Sequence, residues 1–491
     1  MTELRWLART AMLRVRDMSR LALLLAVSVV ILSFNFGSRL LLTNDDTRFP
    51  VMARDVLAHG HWLLPALPDG QPHLAKPPLV VWLMTLASWP TGSVSVRTAV
   101  LPSLLEALGV VLVTYWIGRR LFNPNVGLVG GLVTFTTVGV FSLAHSAMPD
   151  MALLLALTSA MAAYVAMEFD GLRTWLIAFY ALVGLASLAK GAAGLLPLAI
   201  VLVYTIVTDG VSRLTRVVSV PGLVVLVLLA VPWWILAALA GRERFVEGIV
   251  FQDQLLWYFG RTGWHWRAIT EPFGHAVAIT LPWCVLLPFG IWAAVREADL
   301  EKARRVRLLL VWLATVFVII AVSDQQRERY YLPLCPAVAL LIGWWYSTLA
   351  WRRRALAFAG AWVAVVAIGA VLDTIHTRRF NAATDLGTLR VALAQAPAPL
   401  YAFDVPELVL TFNLDRPVQA IKYHSFEERV KHGRDGYLII SDRALRSVPH
   451  TLCMRRLATG VVNSRPVTVL AKNTCSQSPI AERTESSDTT H

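Results

Sequence analysis

Two adjacent carboxylates, Asp45 and Asp46, close a run of apolar residues that extends from Leu21 to Leu40, and Arg48 follows one turn later. A carboxylate in such a place can take a proton, orient a hydroxyl or stabilise developing positive charge. Asn44 or Asp45 would also serve as the N-cap of an interfacial helix running to about His59 and ended by Gly60. One cap needs one side chain, however, and Asp45 and Arg48 at i, i+3 share a helix side. Further on, Lys76 precedes two prolines in DGQPHLAKPPLVVWL, residues 69–83. Proline starts a helix well, so Lys76 falls at a helix N-terminus, where its charge opposes the dipole. A phosphate partner would account for it; snorkelling toward lipid head groups is the alternative. Asp150, in AHSAMPDMALLLAL, opens another apolar run either as a reactive acid or as an ordinary first-turn acid. In VSDQQRERYYLPLCP, residues 322–336, Arg327, Arg329, Tyr330 and Tyr331 crowd a short polar stretch. Arginine forks there could grip a lipid phosphate or pair with loop carboxylates.

These residues need elements to hold them. The chain has 491 residues, 56% of them hydrophobic and 16% charged, with a mean hydropathy of +0.58. Repeated apolar stretches of about 20 residues match a bilayer, and backbone groups in lipid must pair within the segment. The fold class expected is therefore mainly α, a polytopic membrane protein. No cleavable signal peptide is expected, because the first apolar run is too long and lacks a small-residue cleavage site. The spans fall near 21–42, 97–117, 126–143, 150–168, 173–189, 191–208, 221–240, 273–295, 308–323, 331–349 and 355–373, about eleven in all. Arg5, Arg9, Arg14, Arg16 and Arg20 place the N-terminus (1–20) in the cytoplasm. Arg119/Arg120, Arg213/Arg216, the Lys302/Arg304/Arg305/Arg307 group and Arg352–Arg354 then fall on the same side. The net charge of +13 is thus a topology signal and no sign of nucleic-acid binding. Loops 43–96, 241–272 and 324–330 and the chain from 374 come out external, so the acids, the lysine and the arginines converge on one membrane face.

The membrane domain is expected over 21–373 and an external domain over 374–491. PLYAF, RPVQAI, DGYLIIS and RPVTVLAK read as strands between helix-compatible segments, which makes a small α/β domain. SQSPIAERTESSDTTH reads as a disordered end. Cys284 and Cys335 lie in spans as core residues. Cys453 and Cys475 either form a disulfide or stay as two thiols. There is no zinc-like Cys/His spacing and no phosphate- or dinucleotide-binding glycine loop. No metal ligand is assigned; cofactors are unknown, with a divalent metal left open for want of a clear ligand set.

NDDTRFPVMARDVLAHGHWLLPALPDGQPHLAKPPLVVWL resembles the first external loop of bacterial polyprenyl-phosphate-dependent glycosyltransferases of the C-type fold. It is similar to the aminoarabinose–lipid A transferases and, more distantly, to the dolichyl-phosphate-mannose protein mannosyltransferases. SAMPDMALL, SLAKGAAGLLPL, QDQLLWYFG, PFGHAVAITLPW and RERYYLPLCPAVALLIG continue the likeness, which covers roughly 40–346. Three departures stand out: Asp45-Asp46 for the usual Asp-Glu, Ala75 for the Glu before Lys-Pro-Pro, and Asp253, Trp257 and Tyr258 where basic residues are frequent.

The resemblance implies transfer of a sugar, with inversion, from a polyprenyl (undecaprenyl) phosphate donor. The acceptor is an envelope lipid A, glycolipid, glycan or protein, at the external face of the bacterial inner membrane. It makes Asp45 and Asp150 the catalytic acids. Asp46, Arg48, Lys76, Arg327, Arg329 and Tyr330 become substrate-binding residues. A rival class, a lipid or sugar transporter or flippase, would rest on Lys190 in LAKGAAG between two spans. No inverted repeat or matched pair of broken segments supports it.

Overall fold

The computed structural model describes residues 2–243, 245, 267–350, 354–394, 396, 400–431, 436–446 and 454–472. The region of Asp253, Trp257 and Tyr258, the thiols Cys453 and Cys475 and the end of the chain lie outside these residues. Two compact units are present: one comprises 1–41 and 45–378, the other 42–44 and 379–491.

The first unit is helical. Its helices are α1 (Thr2–Leu32), α2 (Asn44–His59), α3 (Leu79–Ser88), α4 (Val96–Leu121), α5 (Pro124–Phe135), α6 (Val138–Ala144), α7 (Asp150–Asp170) and α8 (Trp175–Lys190). Then follow α9 (Leu196–Asp209), α10 (Val220–Gly241), α11 (Arg267–Thr280), α12 (Leu287–Val295), α13 (Leu300–Ala321), α14 (Cys335–Thr348) and α15 (Arg354–Ala382). Among the described residues, α4, α7, α10 and α15 are each long and apolar enough to cross a bilayer. So is the stretch Trp175–Asp209 when α8 and α9 are taken together.

That stretch is not one straight rod. Tyr164, near the end of α7, packs on Phe179 at the start of α8 and on Tyr204 at the end of α9, with centroids 6.2 and 6.0 Å apart. The two helices therefore run antiparallel. Gly191, at φ +60°, breaks the helix, and a Cβ on Gly194 would lie 2.2 Å from the Ser187 nitrogen. Only glycine lets the chain fold back so tightly. The expected separation of 173–189 from 191–208 is thus built on glycine.

Three expected spans take a different form. The first ends at Leu32, short of 42, and gives way to turns. The segments 126–143 and 273–295 are broken helices, bent by 60° and 114°. A break frees backbone donors that lipid cannot satisfy, so neighbouring protein must accept them. Here the two breaks serve each other: Val138 N–H donates to the Leu281 carbonyl at 2.8 Å, and Trp283 Nε1–H donates to Thr136 Oγ1 at 3.0 Å.

Helix α7 is central; 72% of its most apolar window is buried, against none of that of α15. Trp312, Tyr164, Tyr204, Phe135 and Phe179 fill the core around it. Cys335 is buried and Cys284 half-buried, both as free thiols.

The second unit carries a five-stranded sheet in the order β2-β1-β3-β5-β4. The strands are β1 (Leu400–Phe403), β2 (Val418–Ala420), β3 (Tyr437–Ser441), β4 (Met454–Val462) and β5 (Arg465–Lys472). β1 pairs in parallel with β2 and β3, while β5 runs antiparallel to β3 and β4. The four strands expected from the sequence are present. β4 was not among them: it is one of the two edge strands, opens Met-Arg-Arg, and exposes Arg455 and Arg456, so the hydrophobic alternation that marks a half-buried strand is missing.

Candidate active site

Asp45 lies in the first turn of α2, and its carboxylate is drawn into a cluster of guanidinium groups. Arg327 and Arg329 both donate to its Oδ2, the latter at 2.9 Å, and Arg48 lies 3.4 Å from Oδ1. Burial alone would raise the Asp45 pKa. The Arg329 hydrogen bond and the charges of Arg329, Arg48 and Arg327 outweigh it and hold the group at about 2. The arginines come from the 3₁₀ turn Glu328–Leu334 and the residue before it. Proline at 333 and the aromatic pair Tyr330–Tyr331 keep that segment compact, with Tyr331 fully buried.

Asp150 opens α7 and is 2% exposed. Lys190, the last residue of α8, donates to its Oδ1 at 2.6 Å. Its Oδ2 makes no hydrogen bond and faces the Arg329 Nε at 4.0 Å. Arg329 thereby joins the two acids. Tyr330 sits beside them, its ring centre 4.6 Å from the Lys190 ammonium and 5.8 Å from the Arg329 guanidinium carbon. Among the described residues, four cations surround two carboxylates, an excess of two positive charges.

Not every residue singled out from the sequence enters this cluster. Asp46 is 3% exposed and turns to Arg39, 3.7 Å away, instead of joining Asp45. Lys76 sits just ahead of α3. Its charge is felt by His73, whose pKa burial, then Arg48, then Lys76 lower to about 3. Lys76 and Arg48 thus both lie near His73. Lys190, which the sequence offered as a transport marker, is instead the partner of Asp150. An ionisable side chain at the end of an apolar helix was its only signal.

Chemically, the arrangement can receive an anion. A dianionic phosphate would match the charge excess, and the unbonded Oδ2 of Asp150 can accept from a hydroxyl. Asp45, held at so low a pKa, is a weak base and is better suited to balance positive charge than to remove a proton.

A family model described as dolichyl-phosphate-mannose-protein mannosyltransferase matches residues 75–236, which include Lys76, Asp150 and Lys190. The undecaprenyl phosphate-alpha-4-amino-4-deoxy-L-arabinose arabinosyl transferase of Pectobacterium carotovorum is 26% identical over 324 residues, 64% of this chain and 56% of the relative. A protein of that name, numbered 1, from Sodalis glossinidius is 29% identical over 339 residues, 65% of this chain and 57% of the relative. The chain thus spans less than two thirds of the length of these relatives. ArnT from Cupriavidus metallidurans, solved bound to undecaprenyl phosphate, superposes with a TM-score of 0.76 at 20% identity, covering 91% of this chain and 97% of that one. The Archaeoglobus fulgidus oligosaccharyltransferase gives 0.53 at 13% identity, covering 87% and 69%. The resemblance drawn from the motifs and the fold class hold: the chain is an integral membrane protein with the C-type glycosyltransferase fold and a small C-terminal sheet region.

Proposed function

We propose that this protein moves a sugar from a polyprenyl phosphate, undecaprenyl phosphate in bacteria, to an acceptor of the cell envelope such as lipid A, another glycolipid or a glycan. The observation that carries the reading is the excess of two positive charges that the described residues place around Asp45 and Asp150, on a fold shared with a protein solved bound to undecaprenyl phosphate. The names of the arabinosyl transferase relatives support the same reading. The reaction face is external, the N-terminus cytoplasmic and the membrane the inner one, as the basic loops suggest.

In this reading the donor is a phosphodiester with one negative charge. As the bond from the anomeric carbon to the phosphate oxygen breaks, the electron pair leaves with the phosphate, which becomes a monoester carrying nearly two charges. Arg327, Arg329, Arg48 and Lys76 stabilise the charge that develops there. The incoming phosphate competes with Asp45 for Arg327 and Arg329, since both are oxyanions suited to a guanidinium fork. Asp45, partly released, then faces the anomeric centre and balances its cationic character while the acceptor oxygen bonds from the opposite side. If the acceptor is a phosphate, it has no proton to lose and no strong base is needed; if it is a hydroxyl, its proton passes to Asp150 or, through water, to the released phosphate. Asp150, fixed by Lys190, accepts from a sugar or acceptor hydroxyl through Oδ2, and Tyr330 lines the same space. Asp46 supports α2 through Arg39 and does not touch the reacting atoms. Lys190, on which a transport reading would rest, is accounted for by Asp150.

The test is single-turnover transfer by the full chain in detergent, using a panel of synthetic polyprenyl-phosphate sugars and envelope lipid extract. Sugar should appear on an acceptor with release of polyprenyl phosphate. No release from any donor in the panel would overturn the proposal.

A further inference from the structure

The last turn of α2 carries a second group of chemically competent side chains, away from the acids and arginines. Asp55, His59 and His61 offer ligand atoms that all lie within 4.8 Å of one another. His59 Nδ1 is 2.9 Å from Asp55 Oδ1; His61 Nδ1 is 3.2 Å from Oδ1 and 3.0 Å from Oδ2. The imidazoles stack with centroids 5.6 Å apart and converge on one carboxylate.

The backbone holds this grouping. Asp55 and His59 stand at i, i+4 on one helix face. Gly60, at φ +73°, ends the helix and turns His61 back toward the same carboxylate. The segment beyond is pinned: Trp82 Nε1–H donates to the Trp62 carbonyl at 2.6 Å. Ala66 N–H donates to Asp55 Oδ2 at 2.7 Å. Oδ1 thus faces both imidazoles, while Oδ2 is held by the Ala66 N–H and also lies near His61. An outer hydrogen bond of that kind is what fixes a metal-binding carboxylate.

We infer that Asp55, His59 and His61 form a site for a divalent transition metal of the zinc class, which clamps the C-terminal end of α2 to the turn 61–66. Two imidazoles and one carboxylate are the ligand set of such an ion, and water completes the tetrahedron. Metal–ligand bonds of about 2.0–2.1 Å set ligand atoms roughly 3.3 Å apart in a tetrahedral site. The Oδ1–Nδ1 edges of 2.9 and 3.2 Å need open only slightly. His59 and His61 are more than half exposed, so ion and water have access. The C-terminal end of a helix also favours a cation electrostatically. Oxygen-preferring Mg²⁺ and Ca²⁺ suit the donors poorly. The ion takes no part in bond making: Asp45 lies about 15–20 Å away along the helix, at 1.5 Å per residue.

The sequence showed no zinc-like spacing because the set holds no cysteine and its last ligand depends on the turn at Gly60. The test uses the full chain without a histidine tag, stripped with EDTA in detergent. Co²⁺ should give the visible absorption of a tetrahedral site at one equivalent, and Zn²⁺ should displace it and raise the unfolding temperature. His61→Gln and His59→Gln, exposed side chains whose loss leaves the metal-free unfolding temperature unchanged, should each lower Zn²⁺ affinity at least about tenfold and abolish the cobalt spectrum. Absence of a tetrahedral cobalt spectrum in the unaltered protein overturns the inference. So does a spectrum and affinity unchanged in both variants, or an equal response to Mg²⁺.

Discussion

Helix α7 carries acids at both ends, Asp150 at one and Glu168 and Asp170 at the other, and the two ends are built to opposite rules. At one end Asp150 meets Lys190 and Arg329 beside Asp45, with cations in excess and one carboxylate oxygen left without a hydrogen bond. At the other, Glu168 pairs with Arg304 at 2.5 Å. Arg304 also reaches Asp209 at 3.0 Å, and Asp209 reaches Arg216 at 3.7 Å. Asp170, at the same end, meets Arg120, so three acids pair with three bases. A balanced network of this kind fastens α7, α9 and α13 together. An unbalanced one costs stability unless an anion completes it. Ion pairs by themselves therefore do not mark a site; the residual charge does.

Removing the central carboxylate should break this contrast most strongly. Asp45→Asn keeps the size of a first-turn side chain of α2 but removes the charge. If Asp45 serves the transfer, the variant should insert and bind donor while single-turnover transfer falls about 10²-fold, the scale of a positioned catalytic group. Unchanged transfer would reduce Asp45 to an anchor for the arginines. Arg329→Gln comes next. It takes away the group between the two acids and should weaken donor use about tenfold, near the value of one charge-assisted hydrogen bond, seen in the donor concentration dependence.

At the balanced end the expected effect is smaller and of another kind. Arg304→Gln leaves Glu168 and Asp209 without their main partner and should lower stability by roughly 1–2 kcal/mol for these partly exposed pairs. Transfer per folded molecule should be unchanged. Thermal unfolding in detergent with parallel transfer assays reads both, and a loss of transfer at full stability would erase the distinction between the ends.

The sequence made much of this legible, for definite reasons. Length and apolarity revealed most helices, because the bilayer demands both. Asp45, Arg48, Arg327 and Arg329 stood out because charge at a membrane boundary is costly and rarely idle, and the structure brings them together. In the sequence Asp46 reads as a substrate-binding neighbour of Asp45, but neighbours in a helix point about 100° apart, and Asp46 faces Arg39. Lys190 stands in the sequence only as the residue on which a transport reading would rest, since its partnership with Asp150 depends on the α7–α8 contact, which has no local signature. The breaks at 136–137 and 281–286 were hidden for a similar reason: each is completed by the other across the fold. β4 escaped notice because an exposed edge strand carries arginines where a central strand carries valines.

The subtlest consequence of the charge excess concerns pH. Asp45 has its pKa lowered from 3.8 to about 2, with the nearby arginines overcoming the effect of burial. A depressed carboxylate pKa stabilises the folded state above its ordinary value, and that contribution is lost only as pH falls through about 2. The carboxylate accordingly stays ionised throughout the range in which the protein can be assayed. Transfer should therefore show no acid limb from Asp45 between pH 7 and pH 4. In Arg329→Gln the hydrogen bond and the largest neighbouring charge are gone, and Asp45 should return toward the ordinary aspartate value of about 3.9. Arg327 and Arg48 remain, so at pH 4 up to about half of it would be protonated, and transfer relative to pH 7 should fall by up to about twofold in the variant alone. The comparison is a pair of pH profiles at saturating donor, each normalised to its own rate at pH 7. A matching acid limb in the unaltered protein would show that the arginines do not control Asp45, and the residual charge at this end of α7 would need another purpose.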